Sequence, residues 1–290
     1  MRPPPPGPSR KRPLRAVSGA VVGGDRKRRQ GRGGLQDDPQ LWAEHAPVAA
    51  VLGVAPAEWQ ALCAALDAMR RTDAQDEKAP GHAALTLYDL STLADMDGKL
   101  TDSVLDEVAR RIVGDSPNVA LLPTAFLQAT APTDARFEVH APRAVSWRRA
   151  LGDARSGADI DLVLAPRSIP GHWCSVVVRL RDRTVGYRDS LRPSGDEFQA
   201  SAVAAVCGLL ALAAGDDAVA VDVSSLRKAR DESPQQPPNS LHCGVCVLLG
   251  FDAEVNGVRR DVPGAYYSKI EVKRFRARWA CDLFFRRGSG

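Results

Sequence analysis

The sequence predicts an α+β fold, in which a central antiparallel sheet is flanked by helices and a buried helix begins at Cys243. Three observations predict it. Residues 172–180 and 184–191 are rich in β-branched residues and are separated by a charged turn, which is typical of a β-hairpin. Segments with the apolar spacing of amphipathic helices lie before and after this hairpin. A polar loop, 235–242, runs directly into Cys243 and a continuous apolar run.

Residues 1–40 are predicted to be a disordered basic tail, because they are rich in proline, glycine and arginine and lack apolar periodicity. Within residues 1–34, ten basic residues and one aspartate give a net charge of +9, whereas the whole chain carries only +4. Two basic clusters, Lys11-Arg12 and 26–29, are typical of a bipartite nuclear-import signal, which favours the nucleus over the cytoplasm. The alternative is a solvated tail that contacts nucleic acid weakly.

Residues 41–80 are predicted to form a helical N-terminal extension. Pro56 stands where a first-turn proline would, and apolar residues follow at helical spacing. These residues are Trp59, Leu62, Cys63, Leu66 and Met69. We expect this helix to pack on the rest of the chain, and a partner-binding helix is the alternative. A polar linker is predicted at 75–81.

The later elements are predicted from the same periodicities. In order, they are a helix capped by Thr101-Asp102, a helix or strand at 119–126, a strand at 158–166, a helix at 198–214, a strand at 218–223 and a closing helix at 262–285. The basic residues of the closing helix are expected to be largely solvated. They are Lys273, Arg274, Arg276 and Arg278.

Cys243 is a candidate nucleophile because it stands at a predicted helix N-terminus. Unpaired N–H groups and the positive end of the helix macrodipole favour the thiolate there, which is the reactive form of cysteine. The preceding loop contains Gln235 and Gln236, and amide side chains can donate hydrogen bonds to a developing oxyanion. The sequence therefore predicts a nucleophile with an oxyanion stabiliser upstream.

His172 and Asp189 are the candidate base and its orienting carboxylate. If the hairpin turn closes near Asp182, His172 falls opposite Asp189 or its neighbour, and facing residues have Cβ atoms about 4.5–5.5 Å apart. The carboxylate can then accept from one imidazole nitrogen and leave the other to face a thiol. The other histidines outside the 235–247 segment, His45, His82 and His140, are expected at the surface.

These segments resemble, in order, the catalytic core of the ubiquitin-like-protein-specific (SUMO) cysteine protease family. The motifs are Leu100–Asp106, Asp161–Pro166, His172-Trp173, Tyr187–Leu191 and the run from Gln235 to Val245. The resemblance covers residues 85–251 and implies a papain-like architecture, with a catalytic domain that we place at 81–290. The order His, Asp, Cys is also shared by YopJ-type acetyltransferases.

The resemblance also implies roles for individual residues. His172 matches the base, Asp189 its orienter, Cys243 the nucleophile and Gln236 the glutamine of the oxyanion hole. Trp173 matches an aromatic residue that roofs the channel for a Gly-Gly tail.

Three departures from the family pattern are visible. His242 replaces the usual aspartate before the nucleophile, and we favour a packing role for it over that of a second base. Pro237-Pro238 adds one residue before the cysteine, which leaves both Gln235 and Gln236 open as the oxyanion donor. Lys99 stands where the family has tryptophan.

The function implied by the resemblance is a thiol peptidase or isopeptidase that cleaves after the terminal glycine of a ubiquitin-like modifier through a thioester, and we expect the modifier to be of SUMO type. The alternatives are an acetyltransferase and an inactive modifier-binding domain. We expect a monomer with no metal, no cofactor and no membrane contact. A redox pair of Cys243 and Cys246 is less favoured, because no proline stands between them. A zinc site formed by His242, Cys243, Cys246 and a distant histidine is less favoured, because no second close pair of ligands is present. The cysteines lack the spacing of a disulfide framework, which favours a reducing compartment.

Overall fold

A computed structural model describes residues 46–124, 160–169, 171–191, 226–229, 234–257 and 266–285, and the single positions 200, 203, 204 and 206. All of them belong to the unit Pro39–Gly290. The basic tail, His45 and His140, the strand at 218–223 and most of the helix at 198–214 lie outside the described residues, so these expectations stay predictions. None of the described helices is both long and apolar enough to cross a bilayer.

The sheet is mixed, with the predicted antiparallel pairing at its centre. Its strands are β1 (Val119–Leu121), β2 (Leu162–Ile169), β3 (His172–Arg179), β4 (Thr184–Arg188) and β5 (Arg227–Lys228), in the spatial order β1-β2-β3-β4-β5. β2, β3 and β4 pair antiparallel, whereas β1 and β5 join the two edges in parallel. The segment left open as helix or strand is therefore the edge strand β1, and the predicted core strand is shifted by a few residues into β2.

Six helices lie within the described ranges. They are α1 (Ala46–Leu52), α2 (Pro56–Thr72), α3 (Leu87–Ala94), α4 (Asp102–Val113), α5 (Cys243–Asn256) and α6 (Lys269–Phe285). The predicted apolar face of α2 is buried, and α2 packs against α1 and α6. The Thr101 hydroxyl caps α4 by accepting from the Val104 N–H at 3.4 Å. The same hydroxyl donates to Asp89 Oδ1 at 2.7 Å, which fastens α3 to the start of α4.

Apolar residues cover both faces of the sheet. Along β2, Leu162 and Leu164 belong to the cluster formed with the helices, whereas Val163 and Ala165 belong to a second cluster on the opposite face. Strands buried on both faces read as continuous apolar runs, which is why β2 and β3 show little alternation in the sequence. The second cluster includes Val206 from the helical positions near residue 200.

Two expectations about polar segments are wrong. The 75–81 segment is not a free linker, because Lys78 pairs with Thr86 and the Ala79 N–H donates to the Leu85 carbonyl at 3.0 Å. The His82 side chain is largely buried, with Nε2 only 2.7 Å from the Leu283 carbonyl. The first contact is local, within residues 78–86, whereas the second is with α6, which is distant in sequence.

The prediction for the closing helix is wrong at one position. Arg274 and Arg278 are exposed on α6, but Arg276 is 0% exposed. Its guanidinium donates to the main-chain carbonyls of Thr92 at 2.9 Å, Asp95 at 2.8 Å and Gly98. A buried cation is tolerated when its donors are satisfied, and these carbonyls provide the partners.

Glu254 links α5, the helix that begins at Cys243, to the β3–β4 hairpin. Its carboxylate accepts two hydrogen bonds from Arg179, at 2.9 and 2.6 Å, and a third from Arg188. Burial alone would raise the pKa of Glu254, but the two guanidinium groups hold it below its ordinary value of 4.5. This cluster therefore fixes the angle at which α5 crosses the hairpin.

We expect Glu254→Gln to lower the free energy of unfolding by about 1–3 kcal/mol at neutral pH, because two partly buried guanidinium groups lose the negative charge of their partner and one of its two acceptor oxygens. The pKa of Glu254 is lowered in the folded protein, so its stabilisation is present above the ordinary glutamate range and is lost as the pH falls below it. Urea denaturation at several pH values should show the difference between wild type and variant shrinking in acid. Asp161→Asn, which removes the exposed Arg181–Asp161 pair, is the control and should cost less than about 1 kcal/mol. Equal losses in the two variants would contradict the anchoring role.

Candidate active site

Cys243 is the first residue of α5, as predicted, and is buried. Pro237 and Pro238 offer no N–H groups in the loop before it, and the Ser240 hydroxyl donates to the Pro237 carbonyl at 2.6 Å. The helix then begins when the carbonyl of His242 accepts from the Cys246 N–H at 2.9 Å. The sulfur thus lies where the first turn of a buried helix meets the sheet.

His172 and Asp189 are in direct contact. His172 is the first residue of β3, and Asp189 follows the last residue of β4. The imidazole Nε2–H donates to Asp189 Oδ1 at 2.7 Å, and both side chains are largely buried. The same carboxylate oxygen accepts from the Leu191 N–H at 2.9 Å, which orients it from the other side. The prediction that the His172 and Asp189 side chains are in contact is therefore correct.

The geometry of this contact differs from the expected one. The hairpin register pairs Arg179 with Thr184, and pairing stops at Ser175 and Arg188. Asp189 therefore lies beyond the paired part of β4, diagonal to His172 rather than opposite it. Diagonal neighbours on one face remain within reach of long side chains, which explains why the hydrogen bond forms without direct cross-strand pairing.

The second imidazole nitrogen is available to the thiol. His172 Nδ1 is buried and has no nitrogen or oxygen partner in the part of the chain that the structure describes. Burial alone would lower the pKa of His172, but the hydrogen bond to Asp189 and the interaction with Cys243 raise it to about 9. The imidazole is therefore protonated more readily than a free histidine.

The pKa of the Cys243 thiol shifts in the opposite direction. Burial alone would raise it, but the His172 imidazole and the main-chain N–H groups of Trp173 and Gly244 lower the pKa below its ordinary value. A lowered thiol pKa beside a raised imidazole pKa favours a thiolate–imidazolium pair. The site is thus electrostatically suited to nucleophilic attack by sulfur.

The remaining described cysteines behave as core residues. Cys63, Cys174, Cys246 and Cys281 are buried free thiols. Burial raises the pKa of Cys63, Cys174 and Cys281 to about 12, and it raises the pKa of Cys246 as well. Among the described cysteines, only Cys243 has a lowered pKa. No group of three or more metal-ligating side chains occurs in the described residues.

The two candidate glutamines point to different surroundings. The buried Gln236 donates from Nε2 to the Ser240 carbonyl at 2.7 Å and accepts from the Ser190 hydroxyl at 3.2 Å. Its main-chain N–H also donates to the Ser190 carbonyl at 2.8 Å. The Gln235 amide lies against the main-chain carbonyls of residues 189–191. Gln236 is therefore built into the loop that leads to Cys243, next to the residue that follows Asp189.

Trp173 and His242 flank the site from two sides. Trp173 is buried, and a Cβ added to Gly244 would lie 3.3 Å from its indole Cδ1 and 3.4 Å from the Leu100 side chain. The residue after the nucleophile is thus in close contact with the indole. His242 is buried, and burial together with the charge of Arg276 lowers its pKa to about 4. A neutral, enclosed imidazole agrees with the packing role predicted for it.

Sequence reasoning missed Arg276, which contacts His242 behind the nucleophile. The distance from Arg276 Nη2 to His242 Nδ1 is 3.5 Å. A signal was present in the sequence, because residue 276 continues the buried spacing of α6 set by Val272, Phe275 and Trp279. An arginine on an apolar helix face indicates a buried partner.

Comparisons with known proteins show the family of the chain and its fold. A sequence model of the Ulp1 protease family, C-terminal catalytic domain, matches residues 99–288. No curated protein matches the chain.

Several solved structures share the fold. One is a SUMO protease Ulp1 with its catalytic cysteine oxidised to a sulfenic acid, at 16% identity and a TM-score of 0.59, over 76% of this chain and 92% of that chain. A second is the Ulp1 protease domain in complex with Smt3, the yeast ortholog of SUMO, at 18% identity and a TM-score of 0.56, over 76% and 93%. A third is the Chaetomium thermophilum Ulp1-like SUMO protease catalytic domain, at 20% identity and a TM-score of 0.50, over 77% and 88%.

Replacing the Asp189 carboxylate should lower the raised pKa of the His172 imidazole. In Asp189→Asn we expect the pKa of His172 to fall below about 9, because the negative charge that favours the imidazolium is gone, while burial, which lowers this pKa, and Cys243, which raises it, both remain. The imidazole signals of His172, followed by NMR across a pH titration, measure this directly. Asp182→Asn in the exposed turn of the same hairpin is the control and should leave the titration unchanged. A pKa that stays near 9 in Asp189→Asn would contradict the assigned contact.

Proposed function

The chain belongs to the Ulp1 protease family and is a cysteine peptidase; from this premise we propose that it cleaves after the C-terminal glycine of a SUMO-type modifier, with Cys243, His172 and Asp189 as its catalytic residues. The observation that carries the proposal is the 2.7 Å hydrogen bond between His172 and Asp189, with the other imidazole nitrogen available to Cys243. Nucleophile, base and orienting carboxylate in contact are what thiol catalysis requires.

The proposed reaction begins with proton transfer from Cys243 to His172. The thiolate attacks the carbonyl carbon of the modifier's terminal glycine, and the resulting tetrahedral intermediate collapses with cleavage of the C–N bond. His172 gives its proton to the leaving amine, and a thioester to Cys243 remains. Water, deprotonated by His172, then hydrolyses the thioester, which releases the modifier carboxylate and restores the thiol. Asp189 keeps the imidazole oriented throughout.

Gln236 is the proposed side-chain donor to the oxyanion, together with the Cys243 main-chain N–H. An amide nitrogen carries two N–H groups, and the Ser240 carbonyl accounts for one of them. The buried setting of Gln236 strengthens any hydrogen bond that it donates to a developing charge. Gln235 is instead turned towards the backbone of residues 189–191.

Trp173 is the proposed roof of the path by which the modifier's tail reaches Cys243. Its support is the close approach of the indole to Gly244. A narrow path of this kind suits glycine residues, which have no side chain to accommodate. The SUMO-type modifier is proposed because two of the similar structures are SUMO proteases and a third is in complex with Smt3.

The two alternatives are less well supported. Family membership favours a peptidase over an acetyltransferase. A domain that only binds a modifier has no need for an activated thiol, whereas the pKa of Cys243 is lowered and that of His172 is raised.

We expect Cys243→Ser to abolish turnover of a SUMO–fluorophore substrate and covalent labelling by a SUMO vinyl sulfone, because the hydroxyl is a far weaker nucleophile than the thiolate. His172→Ala should lower the rate by about 10²–10⁴-fold. Fluorescence release and a gel shift measure the two effects.

Cys281→Ala removes a thiol remote from the site and is the control, which should keep both activities. A ubiquitin vinyl sulfone run in parallel tests the choice of modifier. Turnover that persists in Cys243→Ser would contradict the proposed chemistry, and labelling by ubiquitin but not SUMO would contradict the proposed modifier.

We expect Gln236→Ala to lower kcat by about 10²–10³-fold with a smaller change in KM, because an oxyanion donor acts mainly in the transition state. Gln235→Ala is the matched comparison on the adjacent residue and should have the weaker effect on kcat. Steady-state kinetics with the SUMO–fluorophore substrate measure both variants. The reverse order of effects would assign the donor to Gln235.

A further inference from the structure

Arg276 is a buried cation that links the last described helix to the surroundings of the nucleophile. It is fully enclosed and donates to three main-chain carbonyls between Thr92 and Gly98. Burial lowers its pKa to about 10, so the guanidinium remains protonated at neutral pH. Its Nε has no partner among the described residues. Replacing Arg276 by an apolar side chain would leave these carbonyls without their donor, so any variant of Arg276 must be checked for folding.

The guanidinium reaches Cys243 through the residue before it. Arg276 Nη2 donates to His242 Nδ1 over a long 3.5 Å, which places the imidazole proton on Nε2. His242 Nε2 faces the exposed Asp97 carboxylate, with Oδ1 at 3.9 Å. His242 is also the N-cap residue of α5, and its carbonyl accepts the first main-chain hydrogen bond of the helix. Its position therefore sets the start of the nucleophile's helix.

A second route runs through the segment 95–100, which Arg276 holds by the carbonyls of Asp95 and Gly98. Lys99 in this segment donates from Nζ to the carbonyl of Gly171, the residue before His172, at 3.2 Å. Leu100 packs against Gly244, the residue after Cys243. The Arg276 guanidinium thus holds a segment that contacts Gly171, next to His172, and Gly244, next to Cys243.

We propose that Arg276 is a positioning residue of the thiol site. It holds His242 and the 95–100 segment in place, and thereby keeps the Cys243 sulfur next to the His172 imidazole. The proposal rests on the proposed function only in assigning catalysis to that pair. Arg276 also contributes a positive charge behind α5, which favours the thiolate. The other charged or titratable groups around Cys243 and His242 are His172, Asp189, Asp95, Asp97, Lys273, Cys174 and Cys246.

The decisive measurement is the pH dependence of Cys243 alkylation by iodoacetamide, followed by mass spectrometry of the peptide that contains it. This small probe needs no modifier, so the result is independent of the substrate proposed above. In Arg276→Met we expect the midpoint of the profile to move up by about one pH unit, a typical size for a perturbed group in a protein. Arg276→Lys keeps the charge but not the planar fork, and should move the midpoint in the same direction by less.

The same variants should lose turnover of the SUMO–fluorophore substrate by about 10²-fold, because a misplacement of about 1 Å is enough for a loss of that size. Arg278→Met and Arg278→Lys are the matched controls on the exposed face of the same helix, and should keep the wild-type midpoint. Circular dichroism and melting temperature identify the folded variants. If Arg276→Met does not fold, the alkylation midpoint and the turnover of Arg276→Lys test the proposal.

A folded Arg276 variant with an unchanged midpoint and wild-type turnover would overturn the proposal and leave Arg276 a purely structural residue. Failure of the proposed function looks different, because wild-type protein would then lack SUMO cleavage while the alkylation midpoint still shifts in the Arg276 variants.

Discussion

The hydrogen bond between His172 and Asp189 is the interaction on which the rest of the site depends. It fixes the imidazole plane and directs Nε2 to the carboxylate, so that Nδ1 is left for the sulfur. Asp189 comes directly after Arg188, the last paired residue of β4, and contacts the start of β3 as a diagonal neighbour of His172. The register of the hairpin therefore decides which carboxylate meets the imidazole.

The nucleophile reaches this pair from the opposite direction. α5 is buried along most of its length, and it packs against β3 of the sheet. Glu254 clamps the helix to Arg179 and Arg188 near its far end, and Gly244 admits Trp173 and Leu100 at its beginning. Packing at both ends of one helix thus holds the thiol beside the His172 imidazole and the main-chain N–H groups that lower its pKa.

Short-range patterns were enough to predict that a buried helix begins at Cys243 and that His172 meets Asp189. A polar loop before an apolar run marks a helix start, and a charged turn between two β-branched segments marks a hairpin. Gln236 and Trp173 came from the family resemblance, and their roles stay proposals. Arg276 and His82 were misjudged, since their partners are main-chain carbonyls far away in the sequence that no periodicity reveals. The three-residue β1 was ambiguous because so short a segment has no period to measure.

The position of Arg276 in α6 has a consequence for biosynthesis. A ribosome makes the chain from its N-terminus, so the segment with Cys243 emerges before the helix that carries this guanidinium. Until α6 docks, the 95–100 segment lacks the donor that binds its carbonyls, and His242 lacks its cationic neighbour. The contacts that Arg276 makes with the 95–100 segment and with His242 are therefore completed only after α6 has been synthesised and has docked.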